Sequence, residues 1–186
     1  FEPFWPSPLF HIVAAFFYSI FGEFGLKLAP FIFGSLSLII AYLIFKKLLN
    51  EVQLFYAILF MSFLPIGMDY SVLGYPESTV AFFIILSIYF AIHSRFFLSG
   101  VSAGLAILSK FTGPVVIPAL LFIAYKNSKN AKEMMKNLIF VTIIPFLISA
   151  PWFTRNWILL GNPIWPFLNF IFHGLQAESY SNFGFV

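Results

Sequence analysis

The stretch FFLSGVSAGLAILSKFTGPVVIPALLFIAY, residues 96–125, decides how the chain is threaded. It can form one long helix with Lys110 at its centre, or two short helices that meet at residues 109–114. Each short helix would have about 14 residues and a length of roughly 20 Å, at 1.5 Å per residue. The choice between the two determines on which side of the fold all later residues lie.

The composition of the chain excludes an ordinary soluble domain. Of its 186 residues, 61% are hydrophobic and only 9% are charged, whereas soluble domains carry about 25% charged residues. Disorder is excluded as well, because it requires low hydrophobicity and a high net charge. The net charge of +3 does not indicate a nucleic-acid partner in so apolar a chain. We therefore predict an all-α fold, a polytopic bundle of transmembrane helices embedded in membrane lipid.

Apolar runs divide the chain into predicted helices. A spanning helix needs about 20 mostly apolar residues. Residues 9–21 are too short and are predicted to lie at the interface or to cross only in part. The predicted spans are residues 26–45, 52–68, 77–92, the stretch 96–125 and residues 138–150. Residues 126–136 are predicted to be a polar connection, and residues 151–186 a long aromatic loop.

The positive-inside rule decides between the two arrangements of residues 96–125. If Lys46 and Lys47 are cytoplasmic, the earlier spans place Arg95 inside, and two crossings by residues 96–125 place the four lysines of residues 126–136 inside as well. One crossing would place those four lysines outside. We therefore expect two short helices. Because they are shorter than the roughly 30 Å hydrocarbon core, their turn must face protein or a water-filled cavity.

Small residues in the first short helix predict close packing against a neighbouring helix. They are Gly100, Ser102, Ala103 and Gly104. Such residues let two helix backbones approach each other in a membrane.

Lys110 is the first candidate functional residue. An ionisable residue within a membrane is costly to bury and is a functional-site hypothesis by default. The alternative is a lysine whose ammonium group reaches to the membrane interface. A lone ammonium group beside a cavity suits a phosphate, so we predict that Lys110 binds phosphate.

Two carboxylates lie near the predicted outer loop. Glu77 follows Tyr75-Pro76 at the start of a helix, where it could be a metal ligand or a general base facing the outer aqueous phase. The alternative is a first-turn carboxylate that the helix dipole favours. Asp69 lies at the end of the preceding helix, where a carboxylate is mildly unfavourable, and its alternative is a solvated loop residue.

Arg155 is the last candidate, in the segment PWFTRNW of residues 151–157. It is predicted to lie just outside the last clear span. It is either an interfacial anchor in an aromatic belt or a guanidinium that clamps a phosphate. The histidines, His11, His93 and His173, lack metal-ligand spacing, and without cysteines there is neither a disulfide nor a thiolate metal site.

Four stretches of the sequence resemble the GT-C superfamily of glycosyltransferases that use polyprenyl-phosphate sugars. The similarity is to prokaryotic relatives of protein O-mannosyltransferases and of the aminoarabinose transferase. Together the four stretches cover nearly the whole chain. The first two are WPSPLFH of residues 5–11, which continues to residues 20–22, and residues 69–77. The last two are residues 99–113, which include GLAILSKFTG, and PWFTRN of residues 151–156 together with GNPIWPF of residues 161–167.

The resemblance implies a multi-pass membrane enzyme, expected in a prokaryotic plasma membrane, whose active site faces outside. It would move a sugar from a polyprenyl-phosphate carrier to a hydroxyl of a glycan, lipid or protein acceptor, with inversion at the anomeric carbon. A carboxylate would act as general base, in some members with a divalent metal ion nearby. By position Glu77 would match the second acidic site, while Lys110 and Arg155 would be cations beside the phosphate.

The family's principal acidic motif lies upstream of the segment that starts at Trp5. Trp5 itself stands where some relatives carry a glutamate, and Glu2 is a loose candidate for that role. We therefore expect residues 1–186 to be the central fragment of one such domain and to be inactive alone. The first residue is Phe1 rather than Met, and we see no signal peptide. A transporter or flippase, or a protein that binds lipid phosphate without turnover, remains the alternative function.

Overall fold

The computed structural model describes residues 7–63 and 75–174, and the regular structure in these ranges is helical. The helices are α1 (Pro8–Phe21), α2 (Glu23–Phe45), α3 (Glu51–Ser62), α4 (Glu77–Ile92), α5 (Phe96–Ser109), α6 (Ile117–Lys126), α7 (Ala131–Leu160) and α8 (Asn169–Phe172). A 3-10 turn, Gly113–Val116, precedes α6. The prediction of an all-α fold is confirmed for these residues.

The chain breaks at Lys110, as the charge balance predicted. Helix α5 ends at Ser109, and Lys110 has an extended backbone with φ −160° and ψ 151°. The turn then packs closely on α5, because a Cβ atom on Gly113 would overlap the backbone of Ala106. Residues 96–125 therefore form two short helices and not one long helix.

Helix α7 is longer than the sequence predicted. It runs without interruption from Ala131 to Leu160 and contains both Pro145 and Pro151. The prediction of an aromatic loop from residue 151 is therefore wrong as far as Leu160. A proline removes one backbone hydrogen bond and its ring crowds the carbonyl of the preceding turn, which can kink a helix without ending it. The end comes instead at Gly161, whose left-handed φ of 71° closes the last turn.

The start of α7 also differs from the prediction. Residues 131–136 were expected in a polar connection, but they form the first turns of the helix. The Asn130 side chain accepts a hydrogen bond from the Glu133 backbone N–H at 2.9 Å. Such a cap satisfies one of the free N–H groups of the first turn and stabilises the helix start by about 1 kcal/mol.

Helix α5 lies at the centre of the bundle, packed between α4 and α7. A Cβ atom on Gly100 would overlap the carbonyl oxygen of Phe140, and one on Gly104 would lie 2.8 Å from the Cβ atom of Ile148. The predicted close packing of this small-residue face is confirmed. Because residue numbers rise together along the contact, α5 and α7 run in the same direction. Helix α2 packs against α4, and α1 against α2.

The outer surface of the bundle is apolar. Large side chains such as Phe31, Phe60, Phe122 and Phe146 are more than half exposed. Helices α2 and α7 are long and apolar enough to cross a membrane. Exposed apolar surface of this extent is costly in water and favourable in lipid.

The two ends of the bundle differ in charge. At one end, the Nζ atom of Lys47 lies 2.7 Å from Nε2 of His93, which joins the ends of α2 and α4. The side chain of Asn127, after α6, donates to the carbonyl of Ala91 at 3.5 Å, near the end of α4. All lysines and arginines except Lys27, Lys110 and Arg155 belong to this basic end. The starts of α4 and α6 lie at the opposite end.

Candidate functional site

Glu77 and Lys110 form an ion pair at the end of the bundle opposite the basic end. Glu77 is the first residue of α4, and Lys110 directly follows α5. Because α4 and α5 are antiparallel neighbours, these two positions meet, and Nζ of Lys110 contacts Oε1 of Glu77. The side chains are 27% and 34% exposed, respectively. The sequence predicted each residue separately as functional, but it did not predict their pairing.

Glu77 retains unused hydrogen-bonding capacity. Its Oε2 atom is shielded from solvent and has no hydrogen-bond partner among residues 7–63 and 75–174. The hydroxyl of Thr79, two residues further along α4, is likewise buried without a partner in that part of the chain. Buried polar atoms are nearly always satisfied. Such a carboxylate oxygen is suited to accept a hydrogen bond from a substrate hydroxyl.

The ammonium group of Lys110 has two N–H donors beyond the one that contacts Glu77. An ammonium group carries three N–H donors, and the ion pair with Glu77 engages one of them. With a third of its side chain exposed, Lys110 can still contact an anion from solvent. The carboxylate holds the ammonium group in place, so an incoming phosphate meets a cation that is already positioned.

Arg155 lies within α7 and not in a loop, which corrects its predicted location. Its Nη1 atom donates to Oδ1 of Asn156 at 2.9 Å, and its guanidinium carbon lies 4.7 Å from the centre of the Trp152 ring. Since α7 runs parallel to α5, Arg155 lies toward the same end of the bundle as Lys110. The structure thus brings Glu77 and Lys110 into contact and places Arg155 on a neighbouring helix.

A folded segment after α7 covers part of this end of the bundle. Asn162 is fully buried, and its side-chain amide donates to the carbonyl of Phe167 at 2.8 Å and to Oδ1 of Asn169 at 2.6 Å. The ring of Phe167 packs edge-to-face on the ring of Phe111, with 4.9 Å between the ring centres. Phe111 directly follows Lys110 in the sequence. The sequence reasoning missed Asn162 as an organising residue, although the motif GNP at residues 161–163 contains it.

Replacing Asn162 with Ala is expected to release this segment from the bundle. The change leaves the Asn169 side chain and the Phe167 carbonyl unpaired, which costs about 1–3 kcal/mol for each buried group. Hydrogen exchange of residues 162–172 measures the effect as faster exchange. Asn127→Ala is the control, because Asn127 is exposed and makes one long hydrogen bond. Equal exchange in the two variants would contradict the role of Asn162.

The described residues do not by themselves make a metal site. Residues 7–63 and 75–174 contain no group of three or more His, Cys, Asp or Glu side chains that could hold an ion. Glu77 offers one carboxylate, and Lys110 already occupies one of its oxygens. Asp69, the other predicted catalytic carboxylate, lies outside the described residues, as does Glu2.

Together the described residues define a class: a helical protein with a lipid-compatible surface, a basic end, and an ion pair at the other end. The sequence model of the family described as dolichyl-phosphate-mannose-protein mannosyltransferase matches residues 5–154. The chain therefore belongs to that family of GT-C glycosyltransferases, as the resemblance indicated. Glu77 and Lys110 lie within the match, and Arg155 lies one residue beyond it.

The chain is also similar to an uncharacterized protein of Aquifex aeolicus (strain VF5). The two are 28% identical over an alignment of 165 residues that covers 82% of this chain and 33% of the relative. The chain thus spans about a third of the length of that relative. No solved structure matches the chain.

Proposed function

We propose that the chain is part of a multi-pass membrane glycosyltransferase that moves a sugar from a polyprenyl-phosphate carrier to an acceptor hydroxyl. The Glu77–Lys110 ion pair carries this proposal, because it combines a proton acceptor with a phosphate-binding cation at one point. Family membership supports the glycosyltransferase chemistry. A broken helix pair with a charged turn is also typical of transporters, and the family match favours the transferase.

In the proposed reaction the acceptor oxygen bonds to the anomeric carbon as the bond from that carbon to the carrier phosphate breaks. Attack from the face opposite the leaving phosphate inverts the anomeric centre. Oε2 of Glu77 accepts the hydroxyl proton. The leaving polyprenyl phosphate gains negative charge, which Lys110 and Arg155 stabilise. Asp69 is a second candidate base, and the upstream acidic motif expected from the family is a third source of a carboxylate.

The acceptor is a hydroxyl of a glycan, a lipid or a protein. A divalent metal ion would take Glu77 as one ligand, with the remaining ligands from outside the described residues. When bound, it would supply positive charge next to the carrier phosphate. The roles of Lys110 and Arg155 do not depend on it.

A direct test uses the full-length protein, purified and reconstituted in vesicles. A polyprenyl-phosphate sugar is added with a mixture of glycan, lipid and peptide acceptors, and release of free polyprenyl phosphate is measured by mass spectrometry. We expect release that depends on the acceptor. Tight binding of the donor without any release would favour the non-catalytic lipid-phosphate binder, and transbilayer movement of an intact donor would favour the flippase.

The proposed orientation predicts which ends of the bundle are accessible from outside the cell. Lys129 and Thr112 are both exposed and lie at opposite ends. In a full-length protein freed of other cysteines, Thr112→Cys is expected to react with an impermeant maleimide in intact cells. Lys129→Cys is expected to react only after permeabilisation, as the positive-inside rule requires. The reverse pattern would contradict the orientation and the outward-facing site.

A further inference from the structure

The basic end contains a polar pocket between the α4–α5 turn and the first turns of α7. It has a volume of about 350 Å³. Its polar lining comes from Ser94, Arg95, Glu133, Lys136 and Asn137. Arg95 and Lys136 are both exposed and can donate to an anion, and Asn137 is held from behind by its hydrogen bond to the hydroxyl of Ser128, at 3.0 Å. The pocket is thus lined by two cations from different parts of the chain, Arg95 of the α4–α5 turn and Lys136 of α7.

An apolar groove adjoins this pocket along the outer surface of α7. It has a volume of about 450 Å³ and is lined by Ala131, Lys132, Met135, Lys136, Ile139 and Phe140. Lys136 and Phe140 line both the groove and the pocket. Nζ of Lys136 lies 5.5 Å from the centre of the Phe140 ring, which places the ammonium group at the junction of the two. Met135 and Ile139 are 64% and 47% exposed.

The charge around the junction is positive. Arg95, Lys132 and Lys136 surround it, against the single carboxylate of Glu133 among the lining residues. One oxygen of that carboxylate is already hydrogen-bonded, because Oε2 of Glu133 accepts from the backbone N–H of Lys129 at 3.0 Å. An anionic ligand is therefore favoured at this place over a neutral or cationic one.

We propose that this end of the bundle binds an anionic phospholipid, with its phosphate between Arg95 and Lys136 and an acyl chain along the groove beside Met135 and Ile139. A free phosphate would use the two cations but would leave the adjoining apolar groove unfilled. Basic pockets at the cytoplasmic ends of transmembrane helices suit such headgroups. The site rests on the proposed membrane orientation and is independent of the transfer chemistry at the opposite end.

The test uses the full-length protein in nanodiscs of phosphatidylcholine with and without phosphatidylglycerol, with native mass spectrometry to measure retained phosphatidylglycerol. A cation close to an anionic headgroup is worth about fivefold in affinity, so Arg95→Gln with Lys136→Gln is expected to lower retention about 25-fold. The conservative pair Arg95→Lys with Lys136→Arg is expected to retain the lipid. Met135→Gln, which changes only the groove, is expected to weaken retention as well.

The matched control removes two charges from the same end of the bundle without touching the site. Lys46 and Lys126 line neither cavity, and each lies over an aromatic ring of its own helix, as Lys136 does. Lys46→Gln with Lys126→Gln leaves both cations of the pocket in place and is expected to lower retention much less than Arg95→Gln with Lys136→Gln does. An equal loss in this control would overturn the proposal in favour of a general surface-charge effect.

Two further outcomes separate this site from other possibilities. If inorganic phosphate displaces phosphatidylglycerol and Met135→Gln has no effect, the site binds simple anions, and the proposal of a phospholipid ligand is wrong. Retention that is unchanged in Arg95→Gln with Lys136→Gln, in a protein that still transfers sugar, would overturn this site while leaving the proposed function intact. Cysteine labelling of this end from outside would instead contradict the proposed orientation.

Discussion

Replacing Lys110 with Gln in the full-length protein is expected to lower sugar transfer at least about 100-fold, because loss of one preorganised group that stabilises developing charge has this effect. Lys110 is the charged member of the turn between α5 and α6, and Glu77 holds its ammonium group. Gln has a similar length but no charge to offer the leaving phosphate. The loss is expected in kcat, measured with saturating polyprenyl-phosphate sugar, and the KM for the same donor is expected to rise.

Glu77→Gln is expected to lower transfer by about 10²–10⁴-fold, the range for loss of a general base. Lys110→Gln and Glu77→Gln remove the same ion pair. Comparing their melting temperatures with their transfer rates therefore distinguishes a loss of structure from a loss of catalysis. The pair is about a third exposed, so water can still reach the partner that each single variant leaves, and the loss of stability is expected to stay below the roughly 3–5 kcal/mol of a fully buried pair. We therefore expect both proteins to fold, and their melting temperatures measure the structural part of the effect.

A charge swap makes this distinction sharper. The double variant Glu77→Lys with Lys110→Glu restores an ion pair between α4 and α5 but exchanges the proton acceptor and the cation. If the pair is catalytic, the swap stays inactive. If the pair only holds two helices together, the swap recovers activity, and the assignment is wrong. Lys27→Gln, an exposed lysine near the start of α2, is the control and is expected to keep activity within about twofold of wild type.

The second large effect concerns the packing of α5 against α7. Gly100→Val is expected to destabilise the protein by about 3 kcal/mol or more, at or beyond the upper end of ordinary overpacking. The clash is with the carbonyl oxygen of Phe140, a backbone atom that cannot move unless α7 moves with it. Thermal unfolding in detergent, together with the yield of monodisperse protein, measures the effect.

Ala119→Val is the matched control for this change. Residue 119 is exposed on α6, so valine enters a helix there without meeting a neighbouring backbone. We expect a melting temperature close to wild type, since exposed substitutions usually change stability by less than about 0.5 kcal/mol. A Gly100→Val protein as stable as Ala119→Val would show that α5 and α7 do not approach each other as closely as described.

The break at Lys110 could be predicted from the sequence because charge alone decides it. Two crossings put the lysines of residues 126–136 on the same side as Lys46 and Lys47, and one crossing does not. The close packing at Gly100 could be predicted too, because small residues have few other uses in an apolar helix. Both inferences depend on residue type and need no knowledge of side-chain positions.

The pairing of Glu77 with Lys110 was beyond the sequence reasoning for a physical reason. The two residues are 33 positions apart, and their contact depends on the rotation and offset of α4 against α5. The end of α7 was missed because Pro151 indicates a helix boundary only locally, whereas the helix is maintained by its neighbouring turns. Asn162 was missed because an asparagine between Gly161 and Pro163 is typical of a solvent-exposed turn.

The shortness of α5 sets the depth of the site in a bilayer. From Arg95 to Lys110 the chain rises by roughly 22 Å, which is several ångströms less than a hydrocarbon core of about 30 Å. In the proposed orientation, with Arg95 at the inner headgroups, the ammonium group of Lys110 would be recessed below the outer headgroups. A water-soluble sugar nucleotide would have to leave the aqueous phase to reach it. A donor whose phosphate is anchored by its own hydrocarbon tail is already near that depth. The proposed site would therefore favour lipid-anchored donors over water-soluble ones before any sugar is recognised.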